Sequence, residues 1–237
     1  MPVNSDWEVA LALFNVTGGF ITYFFLSSSD KLHKWVARRY SENGSLVQKI
    51  LIQRLLGVSF LGIIPFFLSM MFTSKGLAGY GVSCMNFDLT LYWTVGLSCL
   101  VVFTSYLNVR KPSNLAMYPQ IRVQEWSASL LFQSGITWAL YLLAYEFLFR
   151  GILFFTFLDL YGLVPAIAIN VSIYALAHIP KGIKEAVGAI PFGIIICLLT
   201  YKTGTIWVAF FVHVVMALGN EWLSIYANPA MTFKKRG

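Results

Sequence analysis

Seven apolar stretches, roughly 7–26, 55–73, 90–109, 129–158, 163–178, 187–201 and 206–225, leave this chain little choice of fold. A helix rises about 1.5 Å per residue, so about 20 apolar residues cross a hydrocarbon core of about 30 Å. The fourth stretch is long enough to tilt or protrude, and the fifth and sixth are short. Of 237 residues, 58% are hydrophobic and 11% are charged, with a mean hydropathy of +0.71; a soluble domain carries about 25% charged residues. These values exclude a disordered chain and argue against a water-soluble globule, whose core would lack the polar surface to cover it. Trp7, Trp93, Trp126, Trp207 and Trp222 stand at or near span ends, where interfacial anchors belong. The expected fold is all-α, a polytopic bundle of about seven transmembrane helices forming one integral membrane domain. Residues 1–126 hold spans one to three, and residues 127–237 hold the core of spans four to seven.

The charges orient the bundle. Lys31, Lys34, Arg38, Arg39, Lys49 and Arg54 lie in the segment 27–54. Arg110, Lys111, Arg122, Lys181, Lys184, Lys234, Lys235 and Arg236 follow on the same side, against only Lys75 and Lys202 on the other. By the positive-inside rule this bias places the N-terminus outside and the C-terminus in the cytoplasm. It also accounts for the net charge of +7, so no nucleic-acid partner is implied. The opening MPVNSD carries no basic run, so the first span is expected to be retained rather than cleaved. Segment 27–54 reads as an amphipathic helix in the membrane interface, broken at Asn43-Gly44 and restarting near Ser45 into the second span. Pro65 and Pro191 are expected to kink the second and sixth spans. No internal repeat is present, and Cys84, Cys99 and Cys197 show no CxxC spacing.

Ionisable groups inside the spans carry the chemistry. A charge at the bilayer centre costs about 2.5–3.5 kcal/mol even on the lenient insertion scale. Glu146 and Arg150 lie four apart in the fourth span, sharing one helical face in the favourable order for pairing. His178 ends the fifth span, and His213 lies within the seventh with Asn220 two turns further on nearly the same face. Counted from the same end, Glu146 and His178 come out about 20 and 22 Å deep, but His213 only about 10 Å. Asp88 and Asp159 stand at span edges and read as interfacial. There is no HExxH zinc motif and no GxGD aspartyl pair, and GLSC at 96–99 falls short of a rhomboid GxSG. No metal or cofactor is expected.

These residues resemble the signature of the CAAX-prenyl endoprotease and bacteriocin-processing (CPBP) family of intramembrane proteases. That pattern, EExxxR, FxxxH and HxxxN or HxxxD on successive spans, is matched here by Tyr145-Glu146-xxx-Arg150-Gly151, Tyr174-xxx-His178 and His213-xxx-Ala217. The resemblance covers about 145–220. It implies water-mediated peptide hydrolysis in the membrane, with a lipidated or membrane-anchored protein as substrate and Glu146, His178 and His213 as catalytic residues. Arg150, Tyr145, Tyr174 and Asn220 would support them. In that scheme Glu146 and His178 share the water, while His213 and Tyr145 donate to the oxyanion.

Two departures stand out. Tyr145 replaces the first glutamate, which the family pattern assigns to water activation, and Ala217 replaces the later asparagine or aspartate. A non-hydrolytic relative acting as a scaffold or binding subunit is therefore the second reading. A small transporter is a distant third, disfavoured by the missing repeats and by the lack of further charges in the spans. In each case the chain is a multi-pass protein of the bilayer, expected at the plasma (inner) membrane.

Overall fold

The computed structural model describes residues 5–234. Met1–Asn4 of the opening segment, and Lys235 and Arg236 of the basic tail, lie outside the described residues. Seven helices among the described residues are long and apolar enough to cross a membrane. In chain order the helices are α1 Ser5–Ser27, α2 Asp30–Arg39, α3 Glu42–Phe72, α4 Phe87–Asn108, α5 Pro112–Met117, α6 Ala128–Tyr161, α7 Leu163–His178, α8 Ile183–Thr203 and α9 Trp207–Ala227. The short α2 and α5 complete the set around the seven expected spans. A two-residue parallel pairing, β1 Glu125–Trp126 with β2 Thr232–Phe233, ties the chain after α9 to the entry of α6.

The expected interfacial helix is α2, which exposes Lys31, Lys34, Trp35, Arg38 and Arg39 and buries Val36. Its break falls at Tyr40–Ser41 rather than at Asn43-Gly44. The Ser41 hydroxyl accepts the Gly44 N–H and so caps a helix that begins at Glu42. That helix, α3, then runs without interruption into the second span. A π turn at Val58–Ile63 stands just ahead of Pro65, which sits in the first turn of the α-helical segment that follows. Pro191 lies inside a continuous α8.

α6 is the axis of the bundle. Every residue from 144 to 157 is buried, as suits a segment apolar on all faces and enclosed by neighbours. One buried cluster joins it to Ala12 and Val16 of α1, Leu61 of α3, Tyr174 of α7 and Cys197 of α8. Close approach of backbones makes room for these contacts. A Cβ on Gly19 would strike the Phe60 carbonyl, and one on Gly151 would press on the Tyr80 carbonyl at 3.2 Å. α4 is the opposite case: only Thr90 and Ser105 are buried, Trp93, Leu97 and Val101 pack against Leu199, Val208 and Val212, and the remaining face, with Leu91, Val95, Val102 and Phe103, is exposed as suits contact with lipid.

Trp126 departs from its expected role as an interfacial anchor. It is fully buried beside Ile121, Val123 and Ile225, because the β1–β2 pairing folds the chain over it. Trp7 and Trp222 remain about half exposed.

Candidate functional site

α6 presents the first motif through a second π turn, Phe147–Phe154, which follows directly on Glu146. Glu146 is fully buried, and its two oxygens face different partners. Oε1 accepts a 2.6 Å hydrogen bond from His213 Nδ1 of α9. Oε2 lies 3.1 Å from Arg150 Nη1. That second approach is an ion pair without hydrogen-bond alignment, and no Arg150 nitrogen has an aligned acceptor. The guanidinium instead lies over the Tyr174 ring, 4.2 Å from its centre, where the face of the π system attracts a cation.

His178 ends α7 with its ring 4.5 Å from that of Tyr174. Its Nδ1 is 2.8 Å from the Tyr174 carbonyl, and a carbonyl can only accept. Nδ1 therefore carries the proton and Nε2 keeps its lone pair. By the same logic the Glu146 carboxylate holds a proton on His213 Nδ1, so that Nε2 is the acceptor of the neutral ring. The Tyr145 ring meets both histidines edge-on, 6.3 Å from His178 and 6.0 Å from His213 between centres. Tyr145, His178, His213, Ala217 and Asn220 all line one cavity of about 360 Å³. Glu146, Arg150 and Tyr174 stand behind that lining.

His213 thus meets Glu146 despite the 10 Å depth that counting along its span suggests. The reason lies in the turn before α9. Thr203, Thr205 and Ile206 are fully buried, covered by the segment between α3 and α4. Gly81 accepts from Ile206 N at 3.1 Å, Asn86 donates to the Thr203 carbonyl, and Trp207 donates to the Ser83 carbonyl. α9 therefore begins beneath a lid of chain rather than at the surface, and seven residues reach further in than the count implies.

A second polar cluster went unread in the sequence. Arg54, grouped there with the basic loop, is 4% exposed. It donates to the Ser134 carbonyl and hydroxyl and to Gln120, and lies 3.5 Å from the fully buried Glu221 of α9. Its guanidinium covers the Trp138 ring at 4.2 Å. Glu221, next to Asn220 in an apolar run, was the available signal. The premise that the spans hold no further charges is therefore incorrect, and only the missing repeats still weigh against a transporter. Arg54 also lines the cavity, with Tyr118, whose hydroxyl burial holds firmly protonated. Among the described residues no group of three or more His, Cys, Asp or Glu is placed to hold a metal ion.

A helical membrane bundle that gathers a glutamate, an arginine and two histidines from three helices at one cavity is the architecture the CPBP resemblance implies. Residues 124–219 match the family model described as Type II CAAX prenyl endopeptidase Rce1-like. The match contains Tyr145, Glu146, Arg150, Tyr174, His178, His213 and Ala217, and stops just before Asn220. The resemblance to the CPBP family holds over this C-terminal part of the chain. No curated protein and no solved structure matches the chain.

Proposed function

We propose that this protein is a membrane-embedded endopeptidase of the CAAX-protease kind, cutting a lipidated or membrane-anchored protein at the cytoplasmic face of the plasma (inner) membrane. The observation that carries this reading is the 2.6 Å Glu146–His213 contact behind a cavity that both His213 and His178 line. Because Oε1 is taken by His213, the geometry favours His213 over Glu146 as the base. His213 Nε2 accepts the proton of a cavity water as that water attacks the peptide carbonyl. Glu146 stabilises the imidazolium that forms, and orients the ring throughout. His178 Nε2 accepts a hydrogen bond from the water's other O–H, which stays on the attacking oxygen, and so aims the lone pair. The Tyr145 hydroxyl donates to the developing oxyanion, and protonated His213 then gives its proton to the leaving amine. In this scheme Glu146 and Arg150 are positioning residues, while Asn220 and Tyr174 shape the cavity and its rear wall.

One observation favours the second reading, a non-hydrolytic scaffold. Tyr145, at the position where the family pattern has its first carboxylate, presents an aromatic ring to both histidines. Cleavage of co-expressed membrane-anchored proteins separates the two. Hydrolysis by the wild-type chain, lost in His178→Ala, supports the protease. Inert wild type together with activity in Tyr145→Glu, alone or with Ala217→Asn, supports a site disabled by these two replacements.

A further inference from the structure

Asn170 lies within α7, fully buried in a span where an unpaired amide would be costly. Its Nδ2 donates to the Phe149 carbonyl at 2.6 Å, and its Oδ1 accepts from Cys197 Sγ of α8 at 3.3 Å. Phe149 belongs to the π turn Phe147–Phe154, between Glu146 and Arg150. A wide turn opens the backbone ladder, and a side chain from a neighbouring helix can then enter it. The Phe149 ring stacks on Tyr145 at 4.6 Å and meets Tyr174 edge-on at 5.6 Å. The residue whose carbonyl is tied to α7 therefore also backs the Tyr145 ring, which meets both histidines edge-on. Glu146 precedes this turn and Arg150 lies within it, so its rotation sets where both side chains point.

We propose that Asn170 is a positioning residue of the site, its hydrogen bond to the Phe149 carbonyl fixing the π turn of α6 so that Glu146 meets His213. The consequence for rate rests on the hydrolytic reading above; the consequence for the Glu146–His213 contact does not. An amide that merely satisfied itself in the core would, on removal, lower stability and leave that contact unchanged.

The test uses the full chain in detergent with ¹⁵N-labelled histidine. The chain has three histidines, so single replacements assign every ring signal. In the wild type the His213 Nδ1 proton is expected far downfield, as for a short bond to a carboxylate. Asn170→Leu, similar in size but without a donor, should lose or strongly shift that signal, with His33, hydrogen-bonded to the distant Ser27 carbonyl, as the unmoved reference. Asn170→Ser, too short to reach the carbonyl, should do the same and serves if the leucine variant fails to fold. With a cleaved substrate in hand, kcat should fall about tenfold or more at unchanged KM. A wild-type His213 signal in either folded variant overturns the inference. Absence of cleavage by the wild type tells against the hydrolytic reading instead, and the spectra still decide the role of Asn170.

Discussion

Arg150 keeps its charge in the interior through one carboxylate and one ring face. Removing it alone leaves Glu146 buried with only His213 to answer it. Arg150→Leu is expected to cost about 3–5 kcal/mol, the usual scale for an orphaned buried ion. The double change Glu146→Leu/Arg150→Leu leaves His213 Nδ1 without its acceptor, a penalty of about 1–3 kcal/mol. Thermal unfolding in detergent should therefore place the double variant above the single one, and equal stabilities would count against a charged pair. The pair itself was legible from its four-residue spacing within an apolar run. The His213 contact was not, because depth counted along one span cannot reveal that the span begins under a covering loop.

At the level of elements, apolar length and capping residues marked where helices run, and the two π turns had no such mark. Neither Val58–Ile63 nor the Arg150-bearing Phe147–Phe154 carries a residue pattern that marks a widened turn, and in the second a side chain from another helix, Asn170, bonds the Phe149 carbonyl. Arg54 escaped notice for a related reason: a basic residue next to a basic loop looks solvated until the facing helix supplies Glu221. This pair joins α3, α6 and α9 through Ser134, so truncating either end should loosen all three helices. Arg54→Met is expected to cost about 3–5 kcal/mol. Arg54→Lys should recover only part of that, because an ammonium cannot span Ser134, Gln120 and Glu221 as a guanidinium does. Melting temperatures of the two variants against wild type check both statements, and full recovery by lysine would argue against the fork of contacts.

For the whole molecule, the proposed sidedness puts the Lys75 loop outside and the chain after α9 in the cytoplasm. Cys84 is exposed in that loop and provides a native probe. In a Cys99→Ser/Cys197→Ala background, a membrane-impermeant thiol reagent added to intact cells should label Cys84. A cysteine placed by Thr232→Cys, in a chain also lacking Cys84, should label only after the membrane is opened. The reverse pattern would invert the topology.

The central claim is that Glu146 acts through His213 at the cavity, and the rate of peptide cleavage by Glu146→Gln tests it most directly. An amide keeps the shape of the carboxylate but cannot stabilise an imidazolium, so kcat should fall about a hundredfold or more while the protein stays folded. Cleavage at the wild-type rate by a folded Glu146→Gln variant would contradict the account.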